Sequence, residues 1–459
     1  MSQAATITME QPSTIGVSTI AQKHQSTQAW RSLSRLLPSR DSDSDYWWGL
    51  TGRQLAFMVD AAGYSMERQY EALLFHYHWA TPNMGPAPSP SGKLKWRSLI
   101  TLEGGPIEYS WKWPTRTSEP DIRYSLEPIN QYSGTAEDPL NQRPAGQMLH
   151  RLAAEMPEVD LSWTNHFLAT LFDHDKSKYV EEAALTGVPT SSTFGMAAEF
   201  VAKGLGLKAY FVPRKIGHLP VPPLEHWVSS MKQLHQENPS RDVLLDFLAS
   251  SQEGKLFNPL LVAVDCVAPA KSRLKWYFQT PSCSFSSVCE VMTLGGRRPN
   301  MSAQLAELRD LIHAVLSLPA DFPDDADVPQ APQYNPDNNE NDNFVALPGL
   351  LTGFIYYFDI PPGATLPEVK LYIPVWRYGR DDLSVARGTM NWMEARGRGE
   401  YSQRFLSMLG SMAEHRALDD GLGLQTYVSC VLKGKEPDIT TYMGAELLHP
   451  LRRAASGAA

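Results

Sequence analysis

Three short stretches place a lysine two residues ahead of a tyrosine: Lys208-Ala209-Tyr210, Lys275-Trp276-Tyr277 and Lys370-Leu371-Tyr372. In an extended strand, residues two apart project to the same side, so each lysine shares a face with its tyrosine. Arg273 lengthens one of these faces in "SRLKWYFQT" (272–280), whose alternate residues Leu274 and Trp276 are apolar enough to pack against helices. Such packing turns the cations and tyrosines inward. Unpaired buried cations are unfavourable and tend to lose their charge, so the inner face must surround solvent or an anionic ligand. A diphosphate suits it, because it accepts forked contacts from arginine and point-charge contacts from lysine. The tyrosine faces add something phosphate binding does not need: a lining whose quadrupoles favour a cation and which shields a carbocation from water. A single K-x-Y has a plainer explanation, a solvated lysine beside a packed tyrosine. Three copies in equivalent places argue for one shared interior.

The rest of the chain restricts the alternatives. Across 459 residues the formal net charge is −9, which argues against a general nucleic-acid binder, so any basic site must be local. Cys266, Cys283, Cys289 and Cys430 form no CxxC pair and no disulfide-like density, which fits a reducing compartment. With neither a secretory leader nor a long apolar run, the expected location is cytoplasmic, away from membranes. "TLGGRR" (293–298) lacks the Lys-Ser/Thr of a phosphate loop and reads as a turn. His76 and His78 fall on different helix faces, "LFDHDKS" is a charged helix end, and no DDxxD-like element exists to hold magnesium, so no metal site is expected.

To position the K-x-Y strands, the chain cycles between helices and strand pairs. Residues 1–26 read as a flexible tail, and residues 27–459 as one domain. Apolar residues three and four apart in "YWWGLTGRQLAFMVDAAGY" and "MERQYEALLFHYHW" predict helices. Alternation then predicts strands at "LKWRSLITL", "PIEYSWKW" and "DIRYSLEPI". Three further cycles follow, with strands at "FGMAAEFVA", "LGLKAYFVP", "PLLVAVDCV", "SRLKWYFQT", "TGFIYYFDI", "VKLYIPVWR", "LQTYVSCVL" and "DITTYMG", helices between the pairs, and a long loop over 321–343. The expected fold class is α+β: an antiparallel β-barrel of repeated αββα units surrounded by helices, with two ordinary α+β domains as the alternative.

On these residues the chain resembles the fungal aromatic prenyltransferases of the dimethylallyltryptophan synthase family. The resemblance spans about Trp30 to Tyr442 and rests on "YWWGLTG", "ERQYEALLFHYHW", "GGPIEYSW", "IRYSLEPINQYSGTAEDPLN", "LKAYFVP", "PAKSRLKWYF", "MTLGGRR", "PEVKLYIPV" and "LQTYVS". It implies a prenyltransferase barrel whose lumen holds the reaction, with dimethylallyl diphosphate and a small aromatic acceptor as partners, no cofactor or metal, and room for a homodimer. By this resemblance Arg123, Lys208, Arg273, Lys275 and Lys370 bind diphosphate, Tyr210, Tyr277, Tyr372 and Tyr442 shield the cation, and Glu108 is the acidic catalytic residue facing the acceptor. Glu127 reads as structural.

Two departures bear on the acceptor. Gly195 stands where relatives acting on free tryptophan carry a lysine, and Val212 where some carry another tyrosine. The opening helices and "EYSWKWPTR" look most like the subset that prenylates fused-ring polyketide phenols. An indole acceptor, such as a tryptophan-derived cyclic dipeptide or an indole diterpene, is the alternative within the same chemistry. A non-catalytic lumenal binding protein is the alternative of another class, disfavoured because simple binding needs no cation shield.

Overall fold

The computed structural model describes residues 26–116, 118–331, 353–434 and 436–452. Ten antiparallel strands close into a barrel: β1 Ile107–Lys112, β2 Asp121–Leu126, β3 Phe194–Val201, β4 Gly204–Phe211, β5 Asn258–Asp265, β6 Leu274–Gln279, β7 Ile355–Ile360, β8 Glu368–Pro374, β9 Gln425–Val431 and β10 Asp438–Gly444. Each strand pairs with its neighbours in sequence, and β10 returns to β1, with Glu108 opposite Gly444 and Ser110 opposite Tyr442. Closure removes every sheet edge.

Helices occupy the connections between hairpins, among them 143–155, 162–170 and 176–186 after β2, 224–234 and 239–250 after β4, and 285–292 and 302–316 after β6. This is the α+β barrel of αββα units that the pattern predicts. The alternation in each strand explains its two faces. On β6, Trp276 points outward and stacks on Trp227 of the helix 224–234 at 6.1 Å between ring centroids, while Lys275 and Tyr277 point into the barrel. Phe194 and Phe211, opposite each other on β3 and β4, stack at 5.1 Å under Phe167.

One expected strand does not form. "LKWRSLITL" (94–102) is a loop, because each of the ten strands already has two partners and the barrel leaves no edge for another. The loop is tied down instead by Glu127, which accepts hydrogen bonds from Trp96 Nε1 (3.1 Å), Ser98 Oγ (2.6 Å), the Leu99 amide (3.0 Å), Asn141 Nδ2 (3.3 Å) and Ser192 Oγ. All but the last residue of the tail expected at 1–26, and most of the long loop expected at 321–343, lie outside the described residues.

Candidate active site

The inner faces enclose a lumen of about 440 Å³. All ten site residues expected from the sequence line it: Glu108 and Arg123 from β1 and β2, Lys208 and Tyr210 from β4, Arg273, Lys275 and Tyr277 from β6 and the turn before it, Lys370 and Tyr372 from β8, and Tyr442 from β10.

At one end the cations are interleaved with three carboxylates that sequence reasoning passed over. Arg123 pairs with Glu199 at 2.8 Å, and Lys208 contacts both Glu199 and Asp265, the latter at 3.2 Å. Asp265 also accepts Lys275 at 2.7 Å and Arg273 at 2.9 Å, and Arg273 reaches on to Asp359 at 3.0 Å. Burial disfavours ionised Glu199 and Asp265, yet the cations around them hold both carboxyls below the usual range. The Lys275 ammonium, desolvated and beside Lys208, is pushed down to about 8. Spacing carried a signal for Asp359, which shares its face of β7 with Tyr357 two residues earlier.

A belt of tyrosines lies beyond the ion pairs. Tyr277 is 6.5 Å from Tyr210 and 6.0 Å from Tyr372, which is 5.4 Å from Tyr442, all between ring centroids. Two more rings, not singled out from the sequence, complete it: Tyr357 lies 5.1 Å from Tyr277, and Tyr427 lies 6.2 Å from Tyr372. The Lys370 ammonium sits 5.0, 5.5 and 5.6 Å from the centroids of Tyr372, Tyr442 and Tyr357 and donates to the Tyr442 hydroxyl at 3.1 Å. The rings therefore already face a positive charge.

Glu108 lines the same lumen, whose apolar walls include Leu99, Ile100, Met196, Leu261 and Ile355. Desolvation pushes its carboxyl up to about 8, opposed only by the hydroxyl of Thr426, which donates at 2.7 Å. Strict alternation from Tyr427 would turn Thr426 away from the lumen. A bulge intervenes: Thr426 and Tyr427 together face the single residue Tyr442 of β10, and the extra residue re-aims the threonine toward Glu108. No sequence signal marks that bulge. Gly195 faces this part of the lumen opposite Tyr210. Among the described residues, no group of three or more His, Cys, Asp and Glu side chains could hold a metal ion, and no helix is long and apolar enough to cross a membrane.

A closed barrel that gathers cations, a tyrosine belt and a buried carboxyl into one lumen is the architecture of a barrel prenyltransferase. Residues 43–408 match the family described as tryptophan dimethylallyltransferase. The prenyltransferase anuH of Penicillium roqueforti is 55% identical over 427 residues, covering 93% of this chain and 94% of that protein. Xanthone prenyltransferase B of Emericella nidulans is 43% identical over 431 residues, 92% of each chain. Among solved structures, NotF in complex with brevianamide F and DMSPP superposes with a TM-score of 0.71 at 22% identity, over 91% of this chain and 98% of that one. The chain belongs to the tryptophan dimethylallyltransferase family and is a prenyltransferase of the αββα-barrel fold.

Proposed function

We propose that the enzyme transfers a dimethylallyl group from dimethylallyl diphosphate to a carbon or oxygen of an uncharged aromatic acceptor, a fused-ring polyketide phenol, without a metal ion. The observation that carries this reading is the division of one lumen into a cation-rich end and an apolar end bearing Glu108, with the tyrosine belt between them.

With Lys112 beside Asp121 and Asp438, the six cations Lys112, Arg123, Lys208, Arg273, Lys275 and Lys370 meet the five carboxylates Asp121, Glu199, Asp265, Asp359 and Asp438, leaving one positive charge in excess for a diphosphate. As the carbon–oxygen bond of the donor breaks, the diphosphate keeps the electron pair and the cations stabilise its growing charge. The allyl cation passes to the belt of Tyr210, Tyr277, Tyr372 and Tyr442, extended by Tyr357 and Tyr427, which favours positive charge and excludes water. An acceptor carbon or oxygen forms the new bond, and Glu108 draws off the proton the acceptor must lose. Burial and the Thr426 hydroxyl, not a neighbouring cation, set the state of the Glu108 carboxyl, which favours an acceptor without a carboxylate.

The xanthone prenyltransferase relative supports a phenolic acceptor. A cyclic indole dipeptide is the second reading, favoured by the NotF neighbour with its brevianamide F. Incubating the purified protein with dimethylallyl diphosphate and a panel of phenols and indoles, read by mass, tests both. Prenylated phenol is the expected product; product from indoles alone reverses the order, and loss of activity in EDTA overturns the metal-free reading.

A further inference from the structure

Behind the apolar end of the lumen lies a second, smaller cavity of about 40 Å³ that the transfer chemistry does not use. Leu99, Thr193 and Val212 line both spaces. Thr193 and Val212 face each other just past the ends of β3 and β4, where the Val212 amide donates to the Thr193 carbonyl at 2.8 Å, so this pair and the Leu99 loop form a one-residue partition. Beyond it the walls are Leu140, Ala183 of the helix 176–186, Val188, Pro189, Leu219 and Pro220.

Thr190 and Ser191 place hydroxyls on the border of this cavity, and the other polar side chains there are engaged with the protein. The Tyr179 hydroxyl donates to the Arg214 carbonyl at 3.0 Å and accepts from the Asp173 amide at 2.8 Å. The Arg214 guanidinium is held by Glu182 and by the Lys215 and His218 carbonyls. Thr193 Oγ1 donates to the Leu140 carbonyl at 3.1 Å and accepts from Gln142 at 2.9 Å. Apolar side chains make up most of the wall, so the stretch between Leu99, Leu140, Ala183 and Val188 suits hydrocarbon. Its volume suits a few carbon atoms, and Leu219, 38% exposed, forms an outer wall through which a longer chain could emerge.

We infer that this side cavity is an acceptor subsite that takes a short unbranched alkyl substituent, so the preferred acceptor is an alkyl-bearing phenol. The inference rests on the proposed phenolic acceptor. It places the ring beside Glu108 and the chain past the Leu99 side chain, alongside the hydrogen-bonded Thr193–Val212 pair. The substituent contributes affinity by leaving water, about fourfold per methylene while the cavity lasts.

The test is calorimetric titration of 5-methyl-, 5-propyl- and 5-pentylresorcinol into the protein with inorganic diphosphate present, which reads binding independently of turnover. Affinity should rise by about fifteenfold from methyl to propyl at that increment per methylene. Ala183→Phe, which fills the side cavity and leaves the lumen untouched, should erase the gain while 5-methylresorcinol binds as before. Val188→Ala, which enlarges the cavity without crowding, should extend the gain to pentyl. A flat series in the unaltered protein, equal weakening of all three ligands by Ala183→Phe, or no binding by any of them overturns the subsite. Failure of the transfer reading is separable, because it would show as bound alkylresorcinols that yield no prenylated product.

Discussion

At one end of the lumen Arg123, Lys208, Arg273 and Lys275 are paired with Glu199, Asp265 and Asp359, and the ion pairs hold Glu199 and Asp265 ionised against the pull of burial. At the other, Glu108 has one hydroxyl partner and no cation beside it, and burial pushes its carboxyl up to about 8. The same physical influence, loss of water, has opposite outcomes because charge compensation is present in one place and missing in the other. The first end can hold a multiply charged leaving group. The second keeps a carboxyl near neutral pH, where it can both accept and release a proton.

The largest effect expected from breaking this division is at its uncompensated end. Glu108→Gln keeps the shape and removes the proton acceptor, and kcat should fall by about 10²–10⁴-fold while calorimetry shows diphosphate binding unchanged. Loss of diphosphate binding as well would mean that the two ends are not separate. At the compensated end, Lys275→Met removes one charge from the cluster around Asp265 and should lower kcat/KM for the donor by about 10²-fold, with acceptor binding at Glu108 unaffected.

The tyrosine belt joins the two ends, and Tyr357→Leu opens it without removing a charged group. The expected result is about a tenfold larger share of dimethylallyl alcohol among the products, measured by chromatography, because water reaches a poorly shielded cation. An unchanged product ratio would remove Tyr357 from the shield.

A pH profile sharpens the comparison further, since both ends titrate in the same range with opposite consequences. Glu108, raised to about 8, is protonated below that pH, so kcat should climb with pH until about 8 and then level. Lys275, lowered to about 8, is charged below that pH and neutral above it, so the donor KM should rise as the solution becomes more basic. A bell-shaped kcat/KM centred near 8 follows. The smallest expected effect is that of Thr426→Val, which deletes the hydroxyl favouring ionised Glu108 and should move only the acidic limb to higher pH, a few-fold loss at pH 7. Thr426→Ser should restore it.

How far the sequence could be read follows from geometry. K-x-Y repeats on alternating strands were legible because side chains two apart always share a face, and the helix and strand patterns between them revealed the αββα repeat. The same parity made Tyr357 and Asp359 readable in principle on β7. "LKWRSLITL" misled because alternation describes a chain that can pair, while only the closed barrel shows that no edge remains. Thr426 was invisible for the reverse reason: a bulge changes the face of a residue without changing its neighbours in sequence.

By itself, then, the sequence determined that Lys208, Lys275 and Lys370 share the inner faces of their strands with their tyrosines, because strand periodicity is local, while Glu108, Arg123 and Tyr442 came from the family resemblance. Tertiary structure alone decided how those groups are tuned. Closure of β1 onto β10 brings Thr426 to Glu108, and the convergence of β3, β5 and β7 places Glu199, Asp265 and Asp359 among the cations. Charge compensation and desolvation act through space, over contacts between residues far apart in the chain, and the order of residues along one strand does not encode them.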